Sequence, residues 1–315
     1  MSGRHRAWSI RRAAVRTAAL LVALAIAGAG ALVVFRPHST AEAASDIVEI
    51  HAAHGSSFVP ALQGKRPLFI LVLGSDARPG QNIERQRADS IHILGVNVRT
   101  HRATLLGFPR DSWVPIPGFG TNKINAAMSE GGPKLLIRTI ENLTGIRIDF
   151  WMLTNFPGFI SMVNGVGGFT VDVPTRMHDP YSGAFFKPGR HYFNGKNALA
   201  FSRDRHDFLN GDLTRSANQG RVLVAALAAL QRRFARDPAT VLEWIATDFR
   251  FLRTDLDVQT LVDLGLTATQ IPLNHVRNVV VPASSGVVGG ADVVFISPAA
   301  HSLYAQMRKH GTIGG

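Results

Sequence analysis

The chain contains no cysteine in 315 residues, which excludes disulfides, thiolate nucleophiles and zinc–thiolate centres. Lysine is scarce as well: only Lys65, Lys123, Lys134, Lys187, Lys196 and Lys309 stand among 34 basic residues. The base composition of a gene can produce such a bias, and arginine also suits bidentate contacts with anions. Aromatic residues amount to 8% and do not interleave with a basic stripe, which argues against a single-strand nucleic-acid binder. No G-x-S-x-G elbow surrounds Ser75, and there is no phosphate-loop or H-E-x-x-H motif. Gly165-Val166-Gly167-Gly168 follows no suitable strand and reads as a turn, not a dinucleotide fingerprint.

Charge is absent from Thr17 to Phe35, nineteen residues that can cross a hydrocarbon core of roughly 30 Å as a helix. The first 36 residues hold six arginines and no acid, half of the net charge of +12. Five of the six precede the apolar run, so the positive-inside rule keeps residues 1–16 cytoplasmic and exports the rest. Ala41-Glu42-Ala43-Ala44 resembles a signal-peptidase site, but the run exceeds an ordinary signal-peptide core and favours an uncleaved anchor over 17–35. Residues 36–65 read as a linker and 66–315 as one domain. The moderately basic body fits an anionic partner.

Leu68 to Leu73 is an unbroken apolar run ending at Gly74, the mark of a buried central strand. Strands follow at Ile91–Val98 and Ala103–Phe108, then a helix over 133–144 opened by Pro133 and stopped by Gly145. A strand over 147–154, a short helix over 155–163 and a strand over 169–173 come next. After the turn at Asn194-Gly195, a short helix reaches about Ser202 and a long one spans about 214–236. Two helices, a strand and a last helix near 298–308 complete an α/β fold, a mixed central sheet covered by helices on both faces.

Four charged clusters fall at element ends: Asp76 and Arg78; Arg87 and Asp89; Arg110 and Asp111; then Arg203, Asp204, Arg205 and His206, with Asp212, Arg215 and Gln219 beyond. Loops past strand ends are where a twisted sheet presents ligand-binding groups. Paired carboxylates can hold a hard cation through oxygen, and cation and arginines together neutralise phosphate. In the long helix, Leu223, Leu227, Leu230 and Phe234 form an apolar stripe, and stepping back from Leu223 by fours reaches Gln219 and Arg215. An arginine on an inward face near a helix N-terminus needs an anion. Either a ligand or a buried ion pair with Asp212 or Asp204 can supply it.

The segments Leu71–Arg78, Arg87–Ser90, Pro109–Asp111, Ala198–His206 and Gly211–Gln219 resemble, in order, the signatures of the LytR-CpsA-Psr family. So do Lys123–Asn125, Gly131–Pro133 and Val166–Gly168, and the similarity spans about 66–235. The resemblance implies a membrane enzyme, a phosphotransferase on the outer face, moving a glycopolymer from a polyprenyl-pyrophosphate carrier to peptidoglycan. It implies Asp76 and Asp89 as Mg²⁺ ligands, and Arg110, Arg203, Arg205, Arg215 and Gln219 as the pyrophosphate grip, with Arg78 and Arg87 beside them. The lipid tail would lie in an apolar tunnel between sheet and helices. Asp111 or a metal ligand is the candidate base for the acceptor hydroxyl. The family's usual Arg-Gln pair is Asn218-Gln219 here, which loses a charge near the headgroup. Two other readings stand: a non-catalytic binder of polyprenyl phosphate or anionic wall polymer, and a membrane-tethered transcription regulator. Exported topology and the absence of a helix-turn-helix pattern oppose the second.

Overall fold

The computed structural model describes residues 61–208 and 211–314. The tail, the apolar span of 17–35 and most of the linker fall outside the described residues. Among the described residues no helix is long and apolar enough to cross a membrane. Ala61 is fully buried and packs with Leu68 and Ile70.

The apolar run forms β1 (Leu68–Ser75) at the centre of a six-stranded sheet. β2 (Ala88–Asn97) and β3 (Arg102–Gly107) follow as antiparallel neighbours. The hairpin of β4 (Trp113–Ile116) and β5 (Gly120–Lys123) leads into α1 (Ala126–Thr144). β6 (Phe150–Asn155) lies parallel to β1, and Asn155 caps α2 (Phe156–Gly165) by accepting from Gly158 N at 2.9 Å. Next come β7 (Phe169–Val173), the hairpin β8 (Met177–Asp179) and β9 (Ala184–Phe186), and β10 (Gly189–Phe193), which pairs with β7. α3 (Gly195–Arg203), α4 (Gly211–Phe234) and α5 (Thr240–Asp248) precede β11 (Arg253–Thr254) and α6 (Val258–Gln270). β12 (Val276–Val280), the hairpin β13 (Ala283–Val288) and β14 (Ala291–Ile296), and α7 (Ala300–His310) end the described chain.

The sheet order is β11-β6-β1-β2-β3-β12, mixed because β1–β6 and β3–β12 are parallel and the other pairs antiparallel. Side chains alternate across β1. Phe69, Leu71 and Leu73 share one core with Leu135, Leu136 and Ile140 of α1 and with Tyr304 and Met307 of α7. Leu68 and Ile70 face the other way, toward Ile271 and Leu264. α4 lies against β12 at Gly220, where a side chain would collide with Asn278, and Asn278 Nδ2 donates to Ala217 O at 2.8 Å. Helices therefore cover both faces, as the sequence reading expects.

Several boundaries differ. α1 begins at Ala126, seven residues before Pro133, because Gly132 breaks the helical path (φ 68°, ψ −164°) and the helix resumes at the proline. β6 begins at Phe150 instead of residue 147. Asp149 accepts from Phe69 N at 2.9 Å through its side chain and pairs with Arg66 at 2.6 Å, while Ile148 N donates to Glu141 Oε1 at 2.9 Å, so side chains take up bonds that a longer strand would make through its backbone. Asn194-Gly195 is the capped start of α3, with Asn194 accepting from Asn197 N at 3.0 Å. The hairpins β4–β5, β8–β9 and β13–β14 and the strands β10 and β11 add to the expected elements. In α4 the four residues of the expected stripe are half-buried, and the buried positions are Arg215, Ser216, Asn218, Gln219, Gly220, Val222 and Ala229. Small residues sit where the helix touches the sheet, and the bulkier leucines flank the contact.

Candidate functional site

β1 ends at Ser75 between β2 and β6, and its last residues form one wall of a cavity of about 90 Å³. Phe156 and Phe159 of α2, Leu199 of α3, and Val222 and Leu223 of α4 make the lining largely apolar. Asp89, Ser90, Ser202, Arg203, Arg215 and Gln219 complete it. Gly74 keeps the wall thin: a Cβ there would stand 3.0 Å from the Ser90 Cβ.

Of the residues singled out from sequence, Asp89, Arg203, Arg215 and Gln219 border this cavity. Asp89 is ion-paired to Arg110, which also stands 3.7 Å from Asp111 through Nε. Asp76 begins the loop after β1, where its backbone N donates to Arg87 O at 3.2 Å. Burial, followed by the neighbouring charge of Asp89, raises the Asp76 carboxyl above its ordinary range, with Arg110 and Arg87 acting against this. Burial also works against the charge on Arg110, but Asp89, Asp111 and Asp212 more than offset it.

Arg215 is 5% exposed. Its guanidinium stands 2.7 Å from Asp212. Burial lowers its pKa, Asp212 works against that shift, and Arg110 adds to it. Gln219 Nε2 donates to Asp89 O at 3.0 Å and to Ser202 O at 3.4 Å, stapling α4 to β2 and α3. Arg203 is exposed and lies over the Phe156 ring at 5.0 Å, at the cavity edge.

Asp76 and Arg110 stand outside the lining, and so do the four other candidates, Arg78, Arg87, Arg205 and Asp111. Arg78 is exposed, its backbone N donating to Gln81 Oε1 at 2.8 Å. Arg87 is exposed and reaches the site electrostatically through Asp76. Arg205 is half-buried in the loop toward α4. Asp111 is held by Lys123 at 3.4 Å and Asn125 at 3.4 Å. Arg110 Nε and Asp212 Oδ2 are buried and make no hydrogen bond among the described residues, and Arg215 Nη2, ion-paired to Asp212 at 2.7 Å, forms no aligned hydrogen bond. Buried polar atoms normally find partners, so these mark a place for a polar ligand.

The sequence reading did not assign the apolar wall from Phe156, Phe159 and Leu199. Its available signal was the three-residue spacing of the two phenylalanines directly after a strand. The contribution of Lys123 depends on the β4–β5 hairpin, whose turn signal, Pro117-Gly118 before Gly120, the sequence reading did not use.

Asp204, between the two arginines, is fully buried, and burial followed by Asp207 and Asp179 pushes its carboxyl up to about 7. A raised acid favours the folded state most fully below its unfolded value of 3.8, and that contribution is lost as pH rises toward about 7. Asp204→Asn is therefore expected to raise Tm relative to the parent at pH 8, with the gain shrinking toward pH 4. A Tm difference independent of pH would contradict this assignment.

The sequence model of the LytR_cpsA_psr family matches residues 34–309. The probable cell wall biosynthesis protein LcpB of Corynebacterium glutamicum is 38% identical over 184 residues, covering 55% of this chain and 43% of that protein. The polyisoprenyl-teichoic acid–peptidoglycan teichoic acid transferase TagU of Bacillus subtilis is 30% identical over 208 residues, covering 64% of this chain and 65% of TagU. The matched chain thus spans from under half to about two thirds of these curated relatives. Among solved structures, B. subtilis TagV superposes with a TM-score of 0.68 at 25% identity, covering 78% of this chain and 97% of TagV. TagT bound to LI-WTA superposes with a TM-score of 0.65 at 24% identity, covering 82% and 95%. The family model takes in every cluster around the cavity and the sheet that carries it, and the chain belongs to the LytR-CpsA-Psr family.

Proposed function

We propose that this protein transfers a cell-wall glycopolymer from a polyprenyl-pyrophosphate carrier to peptidoglycan. The observation that carries the reading is the junction of an apolar cavity with buried, incompletely hydrogen-bonded charged groups at Arg110, Arg215 and Asp212. A lipid pyrophosphate has the same two-part chemistry. The relatives named for teichoic acid–peptidoglycan transfer agree with it. The acceptor hydroxyl bonds to the phosphorus bearing the glycan, and the bridging P–O bond breaks. The departing polyprenyl monophosphate takes up the hydroxyl proton, which leaves a phosphodiester. Such transfer asks the protein for positioning and charge neutralisation more than for a nucleophile.

Asp76 and Asp89 fit a divalent cation, because the charge of Asp89 raises the cost of charging Asp76 and both are only partly exposed. Among the described residues no three histidine or acidic side chains gather as ligands, so water and phosphate would complete the shell, as suits Mg²⁺. When bound, Mg²⁺ neutralises charge on the pyrophosphate. Arg215 and Arg203 then hold phosphate oxygens at the cavity wall, and Phe156, Phe159 and Leu223 receive the start of the lipid. We place residues 17–35 in the membrane and the domain outside the cytoplasm. A C-terminal alkaline phosphatase fusion should be active, and an inactive one would reverse that topology.

The deciding experiment supplies the full chain with Mg²⁺, a synthetic polyprenyl-pyrophosphate glycan and peptidoglycan. The expected result is a phosphodiester-linked product by mass spectrometry, with polyprenyl phosphate released in equal amount. Tight binding without turnover would favour the non-catalytic binder.

A further inference from the structure

The loop that follows Arg203 ends against an exposed aromatic pair. Tyr181, at the turn of the β8–β9 hairpin, is 79% exposed. Its ring centroid stands 4.7 Å from that of His206, at an interplanar angle of 46°. One buried group anchors both residues. Asp179, fully buried, accepts from Tyr181 N at 2.9 Å through Oδ1 and from His206 Nδ1 at 3.0 Å through Oδ2. Burial works to raise the Asp179 carboxyl, but hydrogen bonds from His206, Ser182 and the Tyr181 backbone more than offset it and bring it to about 2. A carboxylate charged at neutral pH can only accept, so His206 carries a proton on Nδ1. Its Nε2 makes no hydrogen bond among the described residues and is left for another partner.

The hairpin is tied to the same loop at a second point, where Asp207 accepts from His178 N. Its inner face, Met177, Ala184 and Phe186, packs into the core around Phe193 and Phe201. The two rings are therefore set in place in the ligand-free protein. They also stand near the cavity. Arg203 borders it, His206 comes three residues later, and that much chain reaches at most about 11 Å. Charge decides what such a surface can take. Asp179 and Asp207 lie close enough to the buried Asp204 to raise its carboxyl, so negative charge gathers beneath the rings and disfavours phosphate or an acidic headgroup. An uncharged sugar suits both features. Its C–H face packs flat on the electron-rich face of an aromatic ring, and a hydroxyl at its rim can meet Nε2 of His206.

We propose that Tyr181 and His206 form a saccharide subsite, a stacking platform for the donor's glycan where it leaves the pyrophosphate. The inference rests on the transferase reading, which puts the pyrophosphate at Arg203. Apolar cavity, arginine at its edge and aromatic pair beyond then follow the order of lipid, phosphate and sugar in the donor itself. The hairpin supplies a choice among glycans that the phosphate grip cannot make, because every such donor carries the same pyrophosphate.

Tyr181 is exposed at a turn, so its variants should fold with Tm near the parent's. Binding to the full chain is measured by titration calorimetry with two probes, a synthetic polyprenyl-pyrophosphate disaccharide and polyprenyl pyrophosphate without sugar. Tyr181→Ala should weaken the disaccharide-bearing probe about tenfold, near the upper end for one aromatic contact, and leave the sugar-free probe unchanged. Tyr181→Phe and Tyr181→Trp should keep the parent's affinity because the ring face remains. Tyr181→Leu, apolar but not flat, should behave like the alanine variant. In turnover the same loss should appear in donor KM, with acceptor KM unchanged. Equal weakening of both probes would make the rings a contact for lipid and overturn the subsite, as would leucine matching phenylalanine. A rise in acceptor KM alone would also sink it, by giving the rings to peptidoglycan. Turnover with every Tyr181 variant matching the parent would remove the subsite and leave the transferase reading intact. If the variants bind the donor in the expected order but the parent never turns over, the subsite stands and the transferase reading falls. If the parent binds neither probe, both fall.

Discussion

Asp89→Asn is expected to lower transfer by about 10²-fold or more while the protein stays folded. The substitution keeps the side-chain shape and leaves the backbone carbonyl that Gln219 uses. What it removes is the charge that pairs with Arg110 and that acts on Asp76. Arg110 retains Asp111 at 3.7 Å, so its charge is not stranded and Tm without divalent cation should move by only a few degrees. The cation should be the casualty: Mn²⁺ affinity, measured by titration calorimetry, should fall together with turnover. Full activity, or lost activity with unchanged Mn²⁺ affinity, would remove Asp89 from the metal site.

How much of this was legible depended on whether a signal was local. The central strand was plain because six apolar residues in a row have few places to go except the middle of a sheet. Pro133 and Gly145 punctuated α1 correctly at its second half, but the first half hides behind Gly132, whose positive φ no window of propensity anticipates. Hairpins such as β13–β14 were missed although Gly289 and Gly290 both take positive φ at the turn, the residues such a turn asks for. The charged clusters were visible as types and positions. Their grouping was not, because Asp89 meets Arg110 across 21 residues and Gln219 meets Asp89 across 130.

Arg215 does reach the cavity, yet it also pairs with Asp212 at 2.7 Å, so ligand contact and ion pairing coexist in one side chain. Arg215→Leu therefore leaves Asp212, a carboxylate only 14% exposed, without its partner. Removing one member of a sheltered pair typically costs about 3–5 kcal/mol, and the single variant should melt well below the parent. Arg215→Leu combined with Asp212→Leu removes both charges and should regain much or all of that stability. Neither variant should recover transfer: a pre-placed donor to the phosphoryl oxygens is gone, at a cost of about 10²–10³ in turnover. Melting curves of the ligand-free protein and turnover of the lipid-linked donor, taken on both variants, decide the matter. If the double variant regains activity along with stability, Arg215 serves only to neutralise Asp212, and the phosphate grip must be rebuilt around Arg203 and Arg110. If stability returns while turnover stays lost, the buried arginine acts on the ligand, and its pairing with Asp212 is what holds it ready in the ligand-free protein.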